Sequence, residues 1–147
     1  MVKANKQIIV CRIISILLLI LWIWFIFGNS SEVAEVSSRK SGMIAAWFEG
    51  IITERVIRKL AHIFEYTILG IILGFCVKSY YKINKPGIFT VLFSGFIIAT
   101  CDELIQLTAD GRSAQISDVF IDFSGVFIGL LLFCWIILFR KNHINRV

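Results

Sequence analysis

A chain of 147 residues with 58% apolar and 17% charged side chains is too apolar for an ordinary soluble domain, in which about a quarter of residues are charged, and for a disordered one. The length suits one domain spanning 1–147, and its net charge of +5 sits in small groups at the ends of apolar runs. With no continuous basic face, that distribution argues against a nucleic-acid partner and for a membrane.

A bilayer-crossing helix needs about 20 mostly apolar residues, at about 1.5 Å of rise each. The first stretch of that kind is 8–27, broken only by Arg12, whose long side chain can reach the headgroups. It exceeds the apolar core of a secretion signal, and the following GNSSEVAEVSS offers no clear small-x-small cleavage site, so a retained anchor is expected. Next, Met43 to Ile57 sets Trp47 and Ile51 among Glu49, Glu54 and Arg55, the pattern of a short amphipathic helix at the membrane interface, with Ser41 as its N-cap.

The second span is predicted at 58–77, and Arg55 and Arg58 read as interfacial anchors. Asn84-Lys85-Pro86-Gly87 then reads as a turn that breaks the helix and supplies a positive φ. The third span is 88–107; Asp110-Gly111 is a second turn, and the fourth span is 116–139. The fold class is therefore all-α, a four-helix transmembrane bundle with an interfacial amphipathic segment between its first two spans. Gly70 with Gly74, and Gly125 with Gly129, are small-xxx-small pairs that let helices approach closely. Cys11, Cys76, Cys101 and Cys134 lack metal-ligand spacing and read as small buried hydrophobes.

Orientation follows from the cations. An inner N-terminus puts Lys3, Lys6, Arg12, Lys78, Lys82, Lys85, Arg140, Lys141 and Arg146 on the inner side. Arg39, Lys40, Arg55, Arg58, Lys59 and Arg112 then lie on the outer side. The excess predicts a multi-pass protein of the cell membrane with both termini cytoplasmic.

Ionisable groups at the bilayer centre cost at least about 2.5–3.5 kcal/mol each, so those within spans should face one another or water. Lys59, His62, Glu65 and Tyr66 share one face of the second helix, three and four residues apart. The third helix ends with Asp102, Glu103 and Gln106; the loop adds Arg112 and Ser113, and the fourth helix opens with Asp118 and Asp122. All belong to the predicted outer end, which argues for one site.

Its residue types fit several chemistries. His62, Glu65, Asp102, Glu103, Asp118 and Asp122 suit general acid/base work or, equally, an oxygen-rich site for a divalent metal. Lys59, Tyr66, Gln106, Arg112 and Ser113 are candidates for holding a substrate, with Arg112 offering the forked geometry that phosphate prefers. A network of pairs that only holds helix ends together, or an ion or proton relay in a small transporter subunit, draws on the same residues.

These residues lie in RKLAHIFEY-x-x-LG (Arg58 to Gly70) and DE-x-x-Q-x-x-x-x-GRS-x-x-x-x-D-x-x-x-D-x-x-G (Asp102 to Gly125). In both motifs the chain resembles the VanZ-like family, named for a small membrane protein associated with teicoplanin resistance. It departs from that pattern at Glu32 after Ser30-Ser31, at Ile105 where histidine is common, and at Asp110-Gly111 in place of Pro-Gly. The resemblance implies a four-helix membrane protein, sometimes contributing to resistance against teicoplanin and related lipoglycopeptides. Partners expected on this basis are a membrane lipid, a lipid-linked cell-wall precursor or a lipoglycopeptide.

Overall fold

The computed structural model describes residues 2–48 and 51–144. Glu49 of the predicted interfacial helix, Arg146, and the side chains of Lys3, Arg140 and Lys141 lie outside what it describes. Its helices are α1 (Val2–Ser30), α2 (Ala34–Ala46), α3 (Glu54–Tyr80), α4 (Lys85–Gln106) and α5 (Ile116–Ile144). All except α2 are long and apolar enough to cross a membrane, so the chain is a multi-pass membrane protein.

Three of the predicted spans fall inside a longer helix, and the third, 88–107, overruns the end of α4 by one residue. Polar residues extend α1 to Ser30 and start α3 at Glu54, because a helix does not end where its apolar stripe ends. Glu54 in the first turn of α3 and Lys78 in its last complement the helix dipole. Asn84 caps α4, accepting a hydrogen bond from the Gly87 N–H at 3.2 Å, with Pro86 in the first turn. The predicted left-handed turn at Gly87 is therefore corrected: Gly87 is a buried helical residue whose lack of a side chain lets Lys82 O and Val77 approach. Gly111 does supply the expected reversal, at φ +74°.

The segment after α1 also differs from expectation. Its helix occupies Ala34–Ala46, where Ser41 is an interior residue donating to Ser37 O at 3.0 Å and not an N-cap. Ser37, Ser41 and Ala45 are buried at every fourth position, so α2 packs against α3 with small side chains. The larger residues that suggested a helix further along, Trp47 and Ile51, are 88% and 85% exposed and lie beyond it. A backbone hydrogen bond from the Ala34 N–H to Asp110 O, at 3.1 Å, ties the start of α2 to the α4–α5 loop.

Helix α3 is the hub, touching all four others, whereas, among the described residues, α1 and α5 flank the α3–α4 pair without meeting. The core runs between these helices through Ile26, Tyr66, Leu69, Val91, Val126 and Phe133. Outward stand Trp24, Phe64, Phe89, Phe120 and Leu138, an apolar belt of the kind lipid covers and water does not. Cys11 and Cys101 belong to that outer surface, while Cys76 and Cys134 are half-buried. The expectation of four buried cysteines is corrected because a span carries apolar residues on its lipid face as well as in its core.

The tightest packing is between α3 and α5. A Cβ added at Gly129 would lie 2.0 Å from Thr67 O, and one at Gly70 would lie 2.4 Å from Val126 O. Backbone meets backbone there, so no rotamer change can make room. We predict that Gly129→Ala lowers stability in detergent by about 1–3 kcal/mol, despite alanine's better helix propensity. Gly28→Ala, with nothing within 4 Å of the new methyl, should be neutral or stabilising. Equal melting temperatures for the two variants would contradict the seam.

Candidate functional site

The polar groups gather at one end of the bundle, where α1 and α4 finish and α3 and α5 begin. They enclose a cavity of about 250 Å³. Of the residues singled out in the sequence, Lys59, His62, Gln106, Arg112, Ser113, Asp118 and Asp122 line it. Asp102, Glu103, Glu65 and Tyr66 stand behind its wall.

At the centre, His62 Nδ1 lies 3.4 Å from Asp122 Oδ1 and 4.0 Å from Asp102 Oδ2. One donor atom from each of the three residues falls within 4.8 Å of the others, so three helices contribute to one point. Both aspartates are almost wholly removed from solvent, at 0% and 1% exposure. Neither oxygen of Asp102 has a hydrogen-bond partner, and Asp122 Oδ2 has none. Ser30, Tyr66 and Gln106 stand beside the Asp102 carboxylate, yet none closes a bond of normal geometry with it.

Four other predicted groups find partners within the chain. Lys59 Nζ contacts Asp118 Oδ1 at 3.0 Å, so its charge is met within the chain. Glu65 turns toward α1: Oε1 accepts from Asn29 Nδ2 at 2.8 Å, while its backbone oxygen accepts from Trp22 Nε1 at 3.0 Å. Glu103 Oε2 accepts from the Gln115 N–H at 2.9 Å and fastens the loop to the end of α4. Tyr66 is a core residue whose ring is fully buried.

The sequence reading overlooked the arginines on α3. Arg55 and Arg58, taken as interfacial anchors, line the cavity beside Arg112. Arg58 Nη2 reaches Ser38 Oγ of α2 at 3.2 Å. Among the described residues, neither Arg58 nor Arg112 has a carboxylate partner. Burial first, and then the like charge of Arg58, lower the pKa of Arg112 from its ordinary value, so the pair gains from an anion placed between them. The signal was present: Arg58 lies one helical turn before His62 on the same stripe. Asn29 and Ser30 were also missed, although a polar pair closing an apolar span implies partners nearby.

The closed contacts differ in burial, and their loss should differ accordingly. Asn29→Ala should destabilise the protein by about 1–3 kcal/mol, by stranding a carboxylate between α1 and α3. Lys59→Met should cost less than about 1 kcal/mol, since its pair is partly solvated. Denaturant titration in detergent compares them, and a larger loss for Lys59→Met would contradict this division.

No curated protein and no solved structure matches the chain. The family model described as VanZ/LLP1 matches residues 15–139, which carry every side chain that lines the cavity, and the chain therefore belongs to the VanZ/LLP1 family.

Proposed function

We propose that the cavity receives the anionic head group of a membrane lipid or of a lipid-linked cell-wall precursor, at the outer face of the membrane. The observation that carries this reading is the pair of guanidiniums, Arg58 and Arg112, lining one recess with no carboxylate at salt-bridge distance from either among the described residues. Guanidinium presents a planar fork of N–H donors that matches phosphate oxygens, and it keeps its charge when partly desolvated. A volume of about 250 Å³ suits a head group, with the hydrocarbon tail left in the bilayer beside the apolar belt. Gln106 and Ser113 add neutral donors to the same wall.

His62 and Asp122 line the cavity beneath the arginines, an imidazole with a carboxylate beside it. That arrangement can move a proton on a bound phosphate or hydroxyl, so binding and modification draw on the same geometry. A change in the display of such a molecule is the route by which the protein would blunt teicoplanin and related lipoglycopeptides. An outer position for the cavity accords with the excess of cations at the opposite end of the spans.

Purified protein in detergent, titrated with farnesyl phosphate and with farnesol, tests the reading. The phosphate should bind saturably and raise the melting temperature, and the neutral alcohol should not. Arg58→Gln and Arg112→Gln should each weaken phosphate binding about 10–100-fold, the loss of a charge-assisted bond worth about 1.5–3 kcal/mol. Equal binding of farnesol, or phosphate binding untouched by both substitutions, would overturn the proposal.

A further inference from the structure

We infer that His62, Asp102 and Asp122 form a site for one first-row divalent cation, of the Mn²⁺ or Zn²⁺ type, at the floor of the cavity. One ligand comes from each of α3, α4 and α5. The separations of 3.4 Å and 4.0 Å from His62 Nδ1 to the two carboxylates are close to the spacing of neighbouring donors around a metal bound at about 2.0–2.2 Å. All three donor atoms lie within 4.8 Å of one another, so the set draws together on binding an ion.

The second observation is the unanswered polarity of the carboxylates. Asp102 is 0% exposed with both oxygens unpartnered, and Asp122 is 1% exposed with one oxygen unpartnered. Buried carboxylates without partners are costly, and two of them beside one imidazole repel each other. Among the described residues, Lys59 is held by Asp118, while Arg55, Arg58 and Arg112 line the cavity and none is within salt-bridge distance of either aspartate. A protonated His62 would balance only one of the two negative charges. A divalent cation balances both and leaves the imidazole neutral, as a ligand requires.

The donor set also selects the class of ion. One imidazole and two carboxylates suit borderline first-row metals, whereas Ca²⁺ takes six to eight oxygens, and Cu⁺ prefers sulfur ligands. The hydroxyls of Ser30 and Tyr66, both buried and unpartnered, stand where they can donate to Asp102 and orient it. Because His62 and Asp122 border the cavity and Asp102 lies behind it, the ion's remaining positions face the cavity, toward the arginines. The cation deepens the head-group reading by giving a bound phosphate a second anchor, but its own binding does not require that reading.

The test uses the full chain in detergent, stripped with EDTA, dialysed against Mn²⁺ or Zn²⁺ without any phosphate compound, and analysed for metal per chain. The result expected is one ion per chain, with Mn²⁺ showing ¹⁴N coupling from an imidazole in pulsed electron paramagnetic resonance. That coupling should persist in His143→Gln and vanish in His62→Gln. Asp102→Asn and Asp122→Asn should lower affinity roughly 100-fold or more, and Glu35→Gln, at an exposed acid in the first turn of α2, should leave it unchanged. The wild-type spectrum alone decides the matter should the aspartate variants fail to fold. No retained ion, or a bound ion without imidazole coupling, overturns the cation site. Arginine-dependent farnesyl phosphate binding by metal-free protein would then leave the head-group reading standing, whereas a bound ion with no phosphate binding would remove only that reading.

Discussion

Backbone contact between α3 and α5 governs where every polar group falls. Gly129 sits against Thr67 and Gly70, and Gly125 against Ile63 and Tyr66. Continuing toward the start of both helices, Asp122 reaches His62, and then Asp118 reaches Lys59. Each step moves three or four residues along both parallel helices, so the glycine contacts and the polar contacts form one continuous register. Without side chains at the glycines, dispersion and weak C–H···O contacts can hold the helices together in lipid, where no hydrophobic force between spans is available. A shift of one turn would detach His62 from Asp122.

The remaining helices sort the charges into two kinds. Asn29 on α1 holds Glu65, the Gln115 N–H holds one oxygen of Glu103 while the other is buried without a partner, and Lys59 holds Asp118, so these acids serve as fasteners between α1, α3, α4 and α5. Among the described residues, Asp102, Asp122, Arg58 and Arg112 have no opposite charge at salt-bridge distance apart from the imidazole of His62. The two arginines line the recess, and the two acids meet at its floor. Partly buried charges without opposite partners disfavour the isolated fold, and they favour a ligand that carries an anion toward the guanidiniums. The low dielectric around a membrane-embedded cavity strengthens that preference.

Much of this was legible in the chain because the bilayer imposes length and polarity rules that short windows of sequence obey. The four spans, the spacing from His62 to Tyr66, the return of Asp118 and Asp122 after the loop, and both glycine pairs could all be read from periodicity. What escaped had a physical cause in each case. Helix α2 is amphipathic in size rather than polarity, with Ser37, Ser41 and Ala45 on its packed face, so a hydrophobic pattern drew attention to Trp47 and Ile51 instead. Gly87 was read as a turn residue, although Asn84 and Pro86 together spell a helix start. Arg58 resembled an anchor because interfacial arginines are ordinary, and only the position of α2 and the loop shows that it turns inward. The link from Asn29 to Glu65 joins residues 36 positions apart, beyond the reach of local pattern.

The central claim is that one face of these helix ends borders water inside the bundle while the adjacent face meets lipid. Ile121 and Phe120 are consecutive and equally deep, but Ile121 lines the cavity and Phe120 stands outward, 61% exposed on the apolar belt. Single cysteines at the two positions, in a background lacking Cys11, Cys76, Cys101 and Cys134, can be treated in intact membranes with a charged thiosulfonate reagent. Water in the recess predicts fast modification of Ile121→Cys and slow modification of Phe120→Cys. Equal rates, or the reverse order, would contradict a solvated site at this end of the bundle.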